Sequence, residues 1–186
     1  FPFLSIIFID FTLCLFFGKK VRWFQLHLII NIVILYLIIE DYFNYLIKFE
    51  ESYIINDILF KLHPFNYLFL TFNYILSIHI YHFYINPNMS RLEIWHHLQF
   101  VLFGVLPCLF FIKSNIAVLW IFPGCSLPGA LEYFSLVLSK NNKISYLQQK
   151  NIASYLNIYL RYPLIIIGNT ITFNLLIKNI LIEDIY

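Results

Sequence analysis

Long apolar runs, cut at intervals by short charged clusters, set the plan of this chain. Crossing hydrocarbon takes about 17 to 25 apolar residues in a helix, and runs of that order cover residues 1–17, 23–39, 65–85, 94–112, 116–139 and 155–177. The pattern predicts an all-α, polytopic membrane bundle of six transmembrane helices, forming a single domain over 1–186. Residues 40–63 interrupt it with acidic side chains alternating with Tyr, Phe and Ile, the pattern of an interfacial amphipathic connector.

The connectors sort by charge. Lys19, Lys20 and Arg22 follow the first span, Arg91 the third, and Lys140, Lys143 and Lys150 the fifth. Glu40, Asp41, Glu50, Glu51 and Asp57 follow the second, and Glu183 and Asp184 the sixth. Apart from Lys113 after the fourth span, basic and acidic connectors therefore alternate, and the positive-inside rule places the basic ones on the cytoplasmic or equivalent side. The sequon Asn88-Met89-Ser90 then lies inside and is expected to be unmodified.

Composition agrees with this plan. The 186 residues are 61% hydrophobic and 12% charged, with a mean hydropathy of +0.77; too little polar surface remains for a water-soluble globule of this size. The abundance of Phe, Ile, Tyr and Asn, beside five Gly and one Met, has the look of an A/T coding bias, so aromatic content by itself carries no chemical meaning. A formal net charge of +2 argues against nucleic acid, which needs several phosphates neutralised. Cys14, Cys108 and Cys125 are scattered in apolar context, read as packing residues. Phe1 opens the chain without an initiator Met and already within an apolar run, which leaves upstream residues, a signal or transit peptide among them, open.

The polar residues inside the spans carry the candidate chemistry, because ionisable groups at membrane depth face a bundle interior or a wet cavity. His79 and His82 lie one turn apart near the inner end of span three, and His96 and His97 open span four on the same side. His27, ~6 Å along the axis from Trp23 at 1.5 Å per residue, is a possible fifth member. Glu132 toward the inner end of span five and Arg161 in span six form the natural ion pair, with Asp10 as competing partner. The expected site is an inward-opening cavity lined by His79, His82, His96, His97, Glu132 and Arg161. Pro107, Pro123, Pro128 and Pro163 fall in or near the spans, and the run from Phe122 to Gly129 predicts a kink or a short non-helical passage.

Imidazoles in such a cavity suit proton transfer during acyl transfer, metal ligation or holding of a lipid headgroup. Histidine boxes of membrane di-iron enzymes need about eight ligands, and this chain has six histidines, one of which, His63, falls in the acidic connector. No metal and no resident cofactor are assigned.

Tyr81-His82, then Glu93-Ile94-Trp95-His96-His97, then residues 127–134 reading Leu-Pro-Gly-Ala-Leu-Glu-Tyr-Phe, with Lys140 and with 157–163 reading Asn-Ile-Tyr-Leu-Arg-Tyr-Pro, resemble the TLC-domain family of multi-span proteins over roughly 65–177. The family includes ceramide synthases, and the resemblance implies that His96 and His97 match the histidine pair tied there to acyl transfer from acyl-CoA. The family's following His-Asp element has no counterpart, since 126–132 reads Ser-Leu-Pro-Gly-Ala-Leu-Glu. What the resemblance implies is a protein that binds, senses, transports or remodels membrane lipids. His96 and His97 are the catalytic candidates if it is a lipid acyltransferase, with acyl-CoA as substrate, and His79, His82, Glu132 and Arg161 are the lipid-binding ones. The endoplasmic reticulum is the expected membrane. A non-catalytic accessory subunit of a large membrane complex, for example in the mitochondrial inner membrane with other membrane subunits as partners, is the alternative.

Overall fold

A computed structural model describes residues 1–19, 21–47, 67–86, 89–110 and 115–183. The 48–63 part of the acidic connector, the sequon asparagine, Lys20, His63 and Asp184 lie outside the described residues. Six helical rods result, with no strand among the described residues. They are α1 (Pro2–Phe17), α2 (Arg22–Ile47), α3 (Tyr67–Ile85), α4 (Arg91–Gln99, Phe100–Val105 and Leu106–Phe110), α5 (Asn115–Ala117, Val118–Ile121, Phe122–Ser126 and Leu127–Lys140) and α6 (Tyr146–Leu156, Asn157–Arg161 and Tyr162–Glu183).

Among the described residues, four helices are long and apolar enough to cross a membrane: Arg22–Ile47, Tyr67–Ile85, Arg91–Leu109 and Val118–Lys140. Pro2–Phe17 is apolar but shorter. Leu4, Phe8, Phe11 and Leu15 line an exposed stripe of α1 at helical spacing, a surface that hydrocarbon rather than water accommodates. The chain is an integral, multi-pass membrane protein with an all-α bundle.

The bundle is organised around α2. Its buried residues Leu26, Ile30, Ile34, Ile38, Tyr42 and Tyr45 recur every three or four positions, one continuous face of a 3.6-residue helix, and α1, α3 and α5 pack around it. Tyr42 stacks on Phe122 with ring centroids 3.8 Å apart. Gly129 lets α5 approach α2, since a Cβ there would stand 2.8 Å from Asn31 Nδ2. Extending α2 past the expected end at residue 39 needs no special device: Glu40 and Asp41 are charged, but no Gly or Pro interrupts the run. Likewise α6 begins at Tyr146 rather than near 155, because Ser145 and Gln148 form a reciprocal capping box.

The interior prolines are accommodated without breaking any rod. Each of three π-helical turns, Phe100–Val105, Phe122–Ser126 and Asn157–Arg161, ends two residues before a proline: Pro107, Pro128 and Pro163. The amides of Leu106 and Tyr162 reach back five residues, to the carbonyls of Val101 and Asn157. A proline ring clashes with the carbonyl four residues back and supplies no N–H; widening the preceding turn relieves the clash. The kink or non-helical passage expected at 122–129 is thus a π turn within a continuous helix.

The seam between α5 and α6 is close. Trp120 Nε1 donates to Asn169 Oδ1 at 2.8 Å, and a Cβ on Gly168 would meet the Leu119 carbonyl oxygen at 2.8 Å. Backbone cannot move aside as a side chain can, so Gly168→Ala should cost about 1–3 kcal/mol, the range for overpacking. Gly104→Ala, with nothing within 4 Å of the added carbon, should be neutral or slightly stabilising. Thermal unfolding of both variants in detergent checks the pair; equal stability would show that α6 does not pack on α5 at Gly168.

Candidate functional site

Three inter-helix contacts fix the end of the bundle that the basic connectors mark as the expected inner one. Trp23, at the start of α2, lies against His82 near the end of α3, with ring centroids 3.6 Å apart. His82 meets His97 of α4 edge-on at 4.5 Å. The Lys140 ammonium, at the end of α5, lies 5.8 Å over the ring of Phe24. The helix ends that carry Arg22, Arg91 and Lys140 therefore gather at one end of the bundle, as their shared charge sign requires.

The imidazoles collect there. A Ser90–Glu93 capping box starts α4, which sets His96 and His97 in its second turn. Neighbours in a helix differ by about 100°, so one turns inward and the other outward: His97 is buried and His96 exposed. On α3 the three-residue spacing puts His79 and His82 on one face, and His79 lies 4.9 Å from His97. His27 joins from α2, 6.2 Å from His82 and 4.2 Å from Trp23. Relative exposures of 6, 8, 4 and 6% for His27, His79, His82 and His97 put all four rings out of solvent.

Their hydrogen bonding is incomplete. The Nδ1 of His79 donates to the carbonyl of Ile75 at 2.7 Å; a carbonyl only accepts, so this contact fixes the ring tautomer and leaves Nε2 as acceptor. Asn86 Nδ2 lies 3.4 Å from His82 Nε2. By contrast, His27 Nε2, His82 Nδ1 and His97 Nδ1 are buried without a hydrogen-bond partner. Among the described residues, no group of three or more His, Cys, Asp or Glu side chains is disposed to hold a metal ion.

The expected ion pair forms, as a unit of its own. Arg161 Nη2 donates to Glu132 Oε2 at 2.9 Å, Nη1 to Asn157 Oδ1 and Nε to the Pro123 carbonyl at 3.3 Å. That carbonyl stands five residues before Pro128, where a π-register partner would need the amide that proline lacks. The guanidinium fills the vacancy, so Arg161 ties the two proline-bearing rods together. Asp10, the competing partner, is taken by Arg22 at 3.5 Å and by the Tyr81 hydroxyl, which donates to it at 2.7 Å. Among the described residues neither Glu132 nor Arg161 hydrogen-bonds an imidazole, so the single cavity expected from sequence resolves into two adjoining groups: the histidines, and the ion pair.

Tyr133 connects them. Glu132 turns toward α6, and the next residue toward α2, where Tyr133 stacks flat on His27 at 4.5 Å. Sequence reasoning passed over both Tyr133 and Trp23; the signal was their position beside Glu132 and His27, hidden by the aromatic-rich composition. The histidine group offers aromatic walls, uncharged hydrogen-bonding nitrogens and a phenol. No family model, curated protein or solved structure matches this chain.

Replacing Arg161 by Leu should cost about 2–4 kcal/mol, since it strands a half-buried carboxylate and a carbonyl. The double change Glu132→Leu with Arg161→Leu should cost less than the sum of the single changes by about 1 kcal/mol or more. A thermal-unfolding double-mutant cycle measures this; strict additivity would show that the two side chains are not coupled.

Proposed function

We propose that this protein handles a membrane lipid through the histidine group at the inner end of a six-span bundle. The observation that carries the reading is the set of three buried, unpartnered imidazole nitrogens on α2, α3 and α4. Polar atoms held out of water without partners are costly, and the polar end of a lipid is a partner that reaches this depth from the bilayer. The packing of α4 supports it: among its described residues α4 buries only His97 and Val105 and packs chiefly on α3, leaving His96 at the exposed flank of the group. The resemblance to the TLC-domain family points the same way, toward sensing, transport or acyl-chain remodelling.

In an acyl-transfer form His96 and His97 are the catalytic candidates. An imidazole there would take the proton of a lipid hydroxyl as its oxygen attacks an acyl-CoA thioester, then return it to the departing thiolate. Glu132 is engaged by Arg161 and does not supply the missing carboxylate to the pair. In this reading Arg161 and Glu132 border the lipid site and hold its wall. The positive-inside assignment puts the site on the cytoplasmic face, with the endoplasmic reticulum as the proposed membrane.

The sparse packing of α4 favours one other reading, in which a neighbouring subunit of a large membrane complex, for example in the mitochondrial inner membrane, covers that helix. The test is the variant carrying both His96→Phe and His97→Phe. It should insert and fold like the parent yet lose a defined co-purifying lipid, and any acyl-transfer activity, by mass spectrometry of the purified protein. Unchanged lipid content in the folded variant would contradict the lipid reading and favour the subunit.

A further inference from the structure

The chemistry of the histidine group narrows the class of lipid it can take. Anionic headgroups are bound by uncommitted Arg and Lys side chains; two guanidiniums at this end, Arg22 and Arg161, are committed, while Arg91 opens α4 six residues before His97, about 9 Å along the helix axis, and is exposed. Arg22 pairs with Asp10 and donates to Cys14 Sγ at 3.2 Å; Arg161 is held by Glu132, Asn157 and the Pro123 carbonyl. Lys140 is exposed and lies beyond Phe24, whose ring is in turn 6.4 Å from Tyr133. Glu93, the carboxylate on the α4 side, is exposed and engaged with the Ser90 amide at 2.8 Å.

What remains inside is uncharged. Imidazoles packed within 6.2 Å of one another and away from water carry their lowest cost in the neutral form. A neutral imidazole presents one donor and one acceptor. A hydroxyl, with one donor and two acceptor lone pairs, is the complement of two such rings, and His82 Nδ1 and His97 Nδ1 are the unpartnered atoms on the two facing rings. The Trp23 and Tyr133 rings supply flat apolar faces beside them. A phosphate would bring charge in among these rings, where Arg22 and Arg161 are already paired and the remaining cations of this end, Arg91 and Lys140, are exposed.

We infer that the histidine group binds an uncharged lipid through its free hydroxyl, with His82 and His97 as the headgroup-reading residues. The inference rests on the lipid-handling reading above and adds the headgroup class. A lipid of this class carries its hydroxyl at the membrane interface and its chains in the bilayer, which suits a site bordered by the thinly packed α4.

Native mass spectrometry of the full chain in detergent tests it. The probes are diacylglycerol, ceramide and cholesterol on one side, and phosphatidic acid and phosphatidylcholine on the other. At least one uncharged hydroxyl lipid should be retained about tenfold more tightly than either phospholipid, a difference equal to about one hydrogen bond. His82→Phe and His97→Phe should each lose about that factor, and His97→Asn, which keeps a donor and an acceptor, should lose less. Tighter retention of phosphatidic acid, lost in Lys140→Gln or Arg91→Gln, would overturn the headgroup class while leaving lipid handling in place. Retention of none of the five lipids would overturn both. The comparison among lipids uses the unaltered protein, so it holds even if a histidine variant fails to fold.

Discussion

Within hydrocarbon no solvent is at hand to satisfy a polar group, so each must find its partner in the protein or in the lipid. That constraint orders this molecule. It brings Arg161 onto the carbonyl that Pro128 leaves unmatched and onto Glu132, sets the Tyr81 hydroxyl and Arg22 on Asp10, and pairs the Trp120 indole with Asn169. Each of these pairings joins two different helices. The charged and polar residues of the spans therefore decide how rods of otherwise similar apolar surface are arranged, a task that hydrophobic burial, which is non-directional, leaves undone.

Against that background some polar atoms are left over: Gln25 Oε1, Tyr42 Oη and Thr71 Oγ1, and three nitrogens of the histidine group. The three histidine nitrogens would each cost about 1–3 kcal/mol if left unmet, and they occur at one place, where α2, α3 and α4 converge and where α4 is thinly packed. An internal partner is missing beside the thinly packed α4. The same geometry separates holding from bonding: Arg161 and Glu132, closer to conventional headgroup-binding residues, satisfy one another and the backbone, whereas the uncharged rings present the open valences.

Much of this architecture was legible in the residue pattern because the spans are long and their charges few. The alternation of basic and acidic connectors placed His79, His82, His96 and His97 at one end, and the scarcity of charge at depth singled out Glu132 with Arg161. Other features were hidden for physical reasons. Periodicity does not distinguish His96 from His97, since which one faces inward depends on where the Ser90–Glu93 cap starts the helix. Tyr133 and Trp23 belong to a chain rich in aromatics, and only the packing of α5 and α2 makes them part of the site. The prolines marked where helices had to adjust; that the adjustment is a π turn, and that it exposes a carbonyl to Arg161, depends on register across two helices. The ion pair was expected to line the same cavity as the imidazoles, but a helical step of about 100° per residue sends Glu132 and Tyr133 to different neighbours.

In the proposed function the polar end of a lipid completes the open imidazole nitrogens. A density map of the unaltered protein in a lipid nanodisc tests this most directly. Elongated density is expected at the α3–α4 junction, its polar end within hydrogen-bonding distance of His82 Nδ1 and His97 Nδ1 and its tail running into the bilayer past α4. Density showing those nitrogens bonded to protein side chains, with no lipid between the helices, would contradict it.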